Sequence, residues 1–497
     1  MPNEDTPKQK EPENLANKAG IMVVSRAITI VVQLSSMVIL TRILRKETFG
    51  LLTFVLIAYA TVLTISQLGL PDSIFYFFER VPKTSRKSLA LLMGKTLFLI
   101  GLGSSLILLI LTFIAPRWGY SVNGLFIPLI FLALLELPTI PLPNIMIAIE
   151  RAKTAAWLNI VFGITQFLAL VIPASLGQPL MVIMISLLGY GAVRFVLSNL
   201  VFFKSFKGKR GPLAKGMMKE LLRYSVPLGF SQILWGLNRQ IDKFIVAAFF
   251  PAAILAEYAI GAWELPVIPT IAYSVAAVMM PKFVSFHLKG DHAELLSLWL
   301  KAIKKVSIIV LPLTILFLII AEEFIVVLFS EKYIAAALPF RIYTLILIQR
   351  VAAYSSMHRA LGNTKIISYA AIYLVAINLG LSIPLVLLMG IAGPPTATLI
   401  ANMFTWWYSL KKMASTLGVS LSEVFPFGFY GKTMLTSVVA SVPALLFKAS
   451  VTASIHIKLI ALIILYLLAY AVFSNIFGVV KREDWAYLGR GLRLKSS

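Results

Sequence analysis

Apolar residues run through this chain in windows of about 20, each long enough to cross a bilayer core of about 30 Å as a single helix. About fourteen such windows can be read. Six lie within 19–203, six within 224–410 and two within 432–479. Polar connections separate them, and the first 18 residues, MPNEDTPKQKEPENLANK, lack the apolar core and cleavage site of a signal peptide. They read as a disordered cytoplasmic tail. The window pattern predicts an all-α polytopic membrane protein.

The windows are not uniformly apolar. Leu234 to Phe244, LWGLNRQIDKF, lies inside the seventh, 224–250, and places Asn238, Arg239, Gln240, Asp242 and Lys243 near its middle. Each charge costs roughly 2.5–3.5 kcal/mol at a bilayer centre by insertion scales, so it must face protein or a water-filled cavity. At helical spacing Arg239 stands one turn from Asp242 and Lys243, which places the three on one side with Asp242 partly neutralising its neighbours. An internal salt bridge and a polar pathway through the membrane both satisfy this pattern. Further intramembrane charges are Arg26, Glu136, Arg194, Glu264, Arg341 and Arg350. A rise of 1.5 Å per residue puts Arg26 about 10 Å in from one edge, Arg194 in the same half and Arg350 near the middle. Arg239, Lys243 and Arg341 fall in the other half. For Arg26, Arg194 and Arg341, snorkelling to the headgroups is the competing reading.

Two prolines sit where a kink would matter. Glu136-Leu137-Pro138-Thr139-Ile140-Pro141 and Glu264-Leu265-Pro266-Val267-Ile268-Pro269 share a pattern. Proline inside a span frees a carbonyl and bends the helix, so Pro138 and Pro266 are candidate gating kinks or simply tolerated ones. Glu264 is expected near the level of Asp242 and Lys243. Glu136, Asp242, Lys243 and Glu264 are candidates for H+ or Na+ coupling or for pairing with a nearby cation.

Charge distribution sets the topology. The formal net charge is +24, which could suggest a nucleic-acid partner, but 59% of residues are hydrophobic and only 13% charged. Soluble domains average roughly a quarter charged, so little of the chain can form one. The cations cluster in alternate connections. Arg80, Lys83, Arg86 and Lys87 fall on one side, with Lys204, Lys207, Arg210, Lys215 and Lys219, then Lys411 and Lys412, then the tail 480–497. That is the positive-inside pattern, with both termini cytoplasmic. Nucleic acid is not implied. The stretches 211–223 and 292–305 are amphipathic and basic and suit interfacial helices. The chain therefore divides into a tail (1–18), a six-helix lobe (19–203), a basic linker (204–223), a second six-helix lobe (224–410), a connection (411–431), two further helices (432–479) and a basic tail.

An internal repeat at an offset of about 210 residues supports two pseudo-symmetric lobes. Phe49-Gly50-Leu51-Leu52-Thr53-Phe54 matches Tyr258-Ala259-Ile260-Gly261-Ala262-Trp263, and the turn Ala148–Lys153 matches Ala360–Lys365. The shift of six spans gives both lobes one orientation, and a central cavity is expected between them.

The opening segment, with Thr41-Arg42-Ile43-Leu44, Phe49-Gly50, Leu68-Gly69-Leu70 and Arg80, resembles the polysaccharide-biosynthesis flippases. These are the Wzx-like branch of the multidrug/oligosaccharidyl-lipid/polysaccharide exporter superfamily. Gly390, Gly393 and Ala397-Thr398 fit the same pattern, while Arg45-Lys46 stand where the first motif has Gly-Pro. The resemblance implies a flippase in the cytoplasmic membrane, partnered by a polyprenyl-diphosphate-linked glycan, membrane lipids and polysaccharide assembly machinery. It also implies a cavity role for Arg26. Arginine suits a diphosphate because its planar fork binds phosphate oxygens bidentately, which makes Arg26, Arg194, Arg239 and Arg350 the candidate binding set.

Two rivals fit a chain of this kind. An exporter of cationic small molecules would favour a cavity of net negative charge. A membrane enzyme polymerising or ligating lipid-linked glycans would need a large outer loop, and none is present. No GxxxxGK[ST] loop appears, and the four histidines show no metal-ligand spacing. No cofactor is expected.

Overall fold

The computed structural model describes residues 13–480 apart from 123, 209, 264 and 266. Glu264 and Pro266 therefore lie outside the described residues, as do the tail residues 481–497 and the first twelve positions. Among the described residues every regular element is helical. This follows from the solvent that the sequence anticipates, because a chain in hydrocarbon must satisfy each backbone N–H and C=O internally.

In the first part of the chain, α1 (Glu13–Ile43), α2 (Lys46–Ser66), α3 (Leu70–Arg80) and α4 (Arg86–Ile114) are followed by α5 (Phe126–Glu136) and α6 (Leu142–Ala148). Then come α7 (Ala152–Ser175) and α8 (Leu180–Ser205). α1 packs along α7, α4 against α5, and α8 against both α5 and α7. The chain continues through α9 (Met217–Phe249), α10 (Ala252–Gly261), α11 (Val267–Leu288), α12 (His292–Ile319), α13 (Ala321–Phe329), α14 (Ala337–Leu345) and α15 (Tyr354–Ala360). α16 (Thr364–Met389) and α17 (Gly393–Leu417) form a tight antiparallel pair. A short α18 (Leu421–Val424) precedes α19 (Phe427–Val439), α20 (Val442–Ser450) and α21 (Ile455–Ile476).

Among the described residues, twelve stretches are long and apolar enough to cross a membrane. One of these, Thr364–Leu417, holds both α16 and α17, and α9 stands outside the twelve because of the charges it carries. Separating the first and adding the second gives the expected fourteen. Two compact units result, one ending at Gly236 and the other beginning at Leu237. The division falls inside α9, so this helix runs on from one unit into the next.

Several expected spans are broken. The fourth stops at Glu136, passes through a 3-10 turn at Leu137–Thr139 and resumes as α6, so Pro138 does interrupt its helix. Thr139 Oγ1 donates to the Glu136 carbonyl at 2.7 Å, which satisfies a group freed by the break. The tenth span breaks without a proline. A 3-10 turn at Ile346–Gln349 separates α14 from α15, and the Ile348 carbonyl accepts a bond from Tyr430 Oη at 2.8 Å. A side chain from a distant helix thus supports irregular backbone, which sequence windows cannot register.

The two amphipathic stretches do not form separate interfacial helices. Residues 292–305 are the first turns of α12, whose Leu295, Trp299 and Ile303 are buried in protein, with Trp299 Nε1 donating to the Val424 carbonyl at 3.0 Å. α9 likewise starts at Met217 and runs on as one helix, with Leu221 buried. Ahead of it, Ser85 and Ser88 each donate at 2.6 Å to the carbonyls of Pro212 and Gly211, pinning the linker to the start of α4. The expected apolar faces are there, but protein covers them.

The repeat is visible in the turns. Ile149, Glu150 and Arg151 donate backbone bonds to Ile145, Ile147 and Met146, and Leu361, Gly362 and Asn363 do the same with Met357, Arg359 and His358. Glu150 and Gly362 both take positive φ, 62° and 72°. The other match is looser, because Tyr258 lies in the middle of α10 and not at its start.

Candidate functional site

In the first unit, α1, α7 and α8 line an open cavity of about 400 Å³. Helical spacing explains its lining. Arg26, Thr29, Ile30 and Gln33 fall at i, i+3, i+4 and i+7 on α1, Asn159, Phe162 and Gln166 follow the same rhythm on α7, and Tyr190 and Arg194 are one turn apart on α8.

Arg26 and Arg194, both expected to bind anions, share this cavity but differ in state. Arg26 is exposed and makes no hydrogen bond or ion pair among the described residues. Arg194 is held on every side but one. Its Nη1 donates to Glu136 Oε1 and, at 3.0 Å, to Tyr190 Oη, while Nε donates to Thr139 Oγ1 at 3.1 Å. The guanidinium carbon lies 5.0 Å from the centre of the Phe162 ring. Tyr59 Oη donates to the second oxygen of Glu136 at 2.7 Å. Nη2 has no hydrogen-bond partner among the described residues, so one donor edge of a fixed cation is left over. Glu136 is thus a neutralising partner that orients Arg194, and the break at Pro138 brings Thr139 into the same cluster. The cavity keeps one net positive charge from Arg26, with amides, hydroxyls and one aromatic face around it.

The second unit holds the other charges. Asp242 is 2% exposed and turned inward. Its Oδ2 accepts from Tyr258 Oη at 3.1 Å and its Oδ1 from the backbone N–H of Lys243 at 2.8 Å. Lys243 Nζ stands 3.8 Å from Asp242 Oδ1 and donates to the Arg239 carbonyl at 2.5 Å. The Arg239 side chain is exposed and makes no ion pair among the described residues. The expected cluster is therefore split: the Asp242 carboxylate turns inward, and the Arg239 side chain does not join it. Arg341 pairs with Glu322 at 2.8 Å. Arg350 stands half-buried at the break after Gln349. The structure brings Arg26 and Arg194 into one cavity, while Arg239 and Arg350 belong to the other unit.

Sequence reading misses an uncharged polar seam in the second unit. Asn378 Nδ2 donates to Asn238 Oδ1 at 3.0 Å, and Asn378 Oδ1 accepts from Ser382 at 3.0 Å and Thr398 at 3.3 Å. Asn402 Nδ2 donates to the Thr398 carbonyl at 2.8 Å and Gln349 Nε2 to Asn402 Oδ1 at 2.7 Å. These residues are all buried. The available signal is the placement of amides inside apolar windows, which a search for formal charge passes over. Gln33, Asn159 and Gln166 escape for the same reason.

The model of the polysaccharide biosynthesis protein family matches residues 15–287. A solved structure of the lipid II flippase MurJ in an inward closed conformation superposes with a TM-score of 0.69 at 18% identity, over 92% of this chain and 98% of that one. A solved structure of the MATE multidrug transporter DinF-BH gives 0.58 at 14% identity, over 84% and 100%. A mutant of the Vibrio cholerae MATE transporter VcmN gives 0.50 at 15% identity, over 81% and 97%. At these identities the likeness is one of fold. No curated protein matches the chain. The family model spans more than half of the 497 residues, and the chain belongs to the polysaccharide biosynthesis protein family.

Proposed function

We propose that this protein is a flippase that carries a polyprenyl-diphosphate-linked oligosaccharide from the cytoplasmic to the outer leaflet of the cytoplasmic membrane. The observation that carries the reading is the first unit's cavity, where the exposed Arg26 and the spare edge of Arg194 face the same space as three amide side chains. A diphosphate would take the two guanidinium groups, with charge-assisted bonds about twice as strong as neutral ones. Sugar hydroxyls would take Gln33, Asn159 and Gln166. About 400 Å³ lies near the lower end of the usual range for small-molecule sites. It suits the diphosphate and the sugar next to it, with the rest of the glycan extending outside and the tail staying in lipid.

MurJ is named a lipid II flippase, and a fold shared with it fits the same task. The MATE neighbours are named multidrug transporters, which keeps export of cationic molecules as the rival. The cavity's net positive charge favours the anion. Alternating access supplies the mechanism, and the sidedness of the loop cations supports cytoplasmic termini.

The test is leaflet exchange in liposomes with a fluorescent polyprenyl-diphosphate sugar, compared with its dephosphorylated analogue. Wild type should move the diphosphate form, and Arg26→Ala should slow it while sparing protein folding. Equal exchange of both lipids, or an unaffected Arg26→Ala, would reject the reading.

A further inference from the structure

We propose that Asp242 is a proton-binding site in the membrane, reached through a two-tyrosine relay, Tyr343 to Tyr258. The assignment of the site stands on geometry within the second unit. Its role in driving translocation rests on the flippase reading.

The half-buried Glu136 offers a comparison with Asp242. Glu136 is bonded directly to the Arg194 guanidinium and to Tyr59, so its charge is answered by a cation in hydrogen-bond contact. Asp242 lacks that. Its nearest cation, Lys243 Nζ, is 3.8 Å away and spends a short bond on the Arg239 carbonyl. A buried charge is costly unless it is both paired and hydrogen-bonded, and a neutral carboxyl is the alternative that a loose pair leaves open. Glu136 has a cation in hydrogen-bond contact, whereas the cation beside Asp242 stands off and is engaged elsewhere.

The relay has a direction. Tyr258 is fully buried and donates to Asp242, so the hydrogen in its 3.1 Å contact with Tyr343 Oη must come from Tyr343. The two rings meet edge to face at 6.3 Å. Tyr343 is only half-buried, which gives the chain an outer end. Uptake then balances simply. Tyr343 oxygen receives a proton from a hydronium ion, which becomes water, as its own passes to Tyr258, and the Tyr258 proton passes to Asp242 Oδ2. Each tyrosine ends with one O–H bond, and Asp242 gains one. Release reverses the order.

The surroundings favour a proton over a metal cation. Among the described residues, Lys243 faces Asp242 from its own helix, Tyr258 from α10 and, behind it, Tyr343 from α14; Arg341 on α14 is engaged with Glu322. Both carboxylate oxygens already hold a donor, and an ammonium lies close by. A Na+ ion would have to displace those donors and sit against Lys243, whereas a proton needs only one free lone pair of the roughly four that a carboxylate offers. Protonation takes the Asp242–Lys243 pair from neutral to singly positive. That change falls on α9, the helix that runs from one compact unit into the other.

The experiment uses the full-length protein in nanodiscs and infrared difference spectra between acidic and alkaline buffer, which report the C=O stretch of a protonated, buried carboxyl. Wild type should show one such band. It should be absent from Asp242→Asn, move to higher frequency in Tyr258→Phe as its hydrogen bond is lost, and form more slowly after a pH jump in Tyr343→Phe. A band that survives in Asp242→Asn overturns the proposal, and so does a wild type without one. Should Asp242→Asn fail to fold, Tyr258→Phe decides alone, because an unmoved band there also overturns it. A parallel liposome assay under an imposed pH gradient uses the fluorescent diphosphate lipid. No exchange in any variant would remove the flippase reading and leave the infrared result standing.

Discussion

A guanidinium that is fixed and one that is free do different work, and Arg194 and Arg26 can be separated experimentally on that basis. Arg194 and Glu136 are each about one-eighth exposed, 13% and 12%, so breaking the pair leaves a charge in a poorly solvated place. Glu136→Gln should therefore cost about 3–5 kcal/mol of stability. Glu136→Gln combined with Arg194→Gln removes both charges and should recover most of that loss. Chemical denaturation in detergent would measure the coupling as a double-mutant cycle. Additive losses would mean that the pair does not hold the cluster together. Arg26→Ala makes the opposite prediction. It has no bond to lose among the described residues, so stability should stay within about 0.5 kcal/mol, the range of surface substitutions. Exchange of a diphosphate lipid should nevertheless fall about tenfold or more, the worth of one hydrogen bond to a charged group. Charge at intramembrane positions is legible in the sequence because it is so costly there. Which charges pair is not, because Tyr59, Thr139 and Tyr190 reach the cluster from separate parts of the chain.

At the level of helices, small residues decide how closely backbones pass. Gly69 takes φ 69° at the start of α3, and a Cβ there would lie 2.5 Å from the Ser225 carbonyl oxygen and 2.6 Å from the Gly229 nitrogen. Gly229, inside α9, meets the backbone of Leu68 and Gly69 in the same way. The contact is backbone against backbone, so neither side can yield. Gly→Ala inside a helix normally gains roughly 0.5–1 kcal/mol. Gly229→Ala should instead destabilise, while Gly103→Ala and Gly189→Ala, which meet nothing within 4 Å, should be neutral or mildly stabilising. Thermal unfolding of the three variants would show it, and a stabilised Gly229→Ala would refute the close crossing. The motif Leu68-Gly69-Leu70 is visible in the sequence, but its reason is not. The backbone at Gly229, far along the chain, supplies it. Apolar windows likewise find nearly every span yet place their ends poorly, because α12 and α9 extend well past the bilayer-like core. The break at Ile346–Gln349 leaves no composition signal at all.

For the whole molecule the governing quantity is the sidedness of its cations, and the absence of cysteine makes it directly measurable. Loop parity assigns Lys207 and Lys412 to the cytoplasmic side, and Gln178 and Ser454 to the opposite side. Lys207, Gln178 and Ser454 lie in connections beside apolar helices and Lys412 is exposed near the end of α17, so a single Cys introduced at each reports one side without background. In intact cells a membrane-impermeant maleimide should label Gln178→Cys and Ser454→Cys at once, and label Lys207→Cys and Lys412→Cys only after permeabilisation. The physical basis is the bias of Lys and Arg toward untranslocated loops, which acts on short connections such as these. Arg42, Arg45 and Lys46 run against it, and they provide the sharper trial. Labelling at Glu47→Cys from outside would show that the other loops outvote this local cluster. Labelling there only after permeabilisation would invert the assignment, placing the cavity's Arg26 in the outer half of the bilayer. The proposed flippase would then receive its diphosphate from the wrong leaflet.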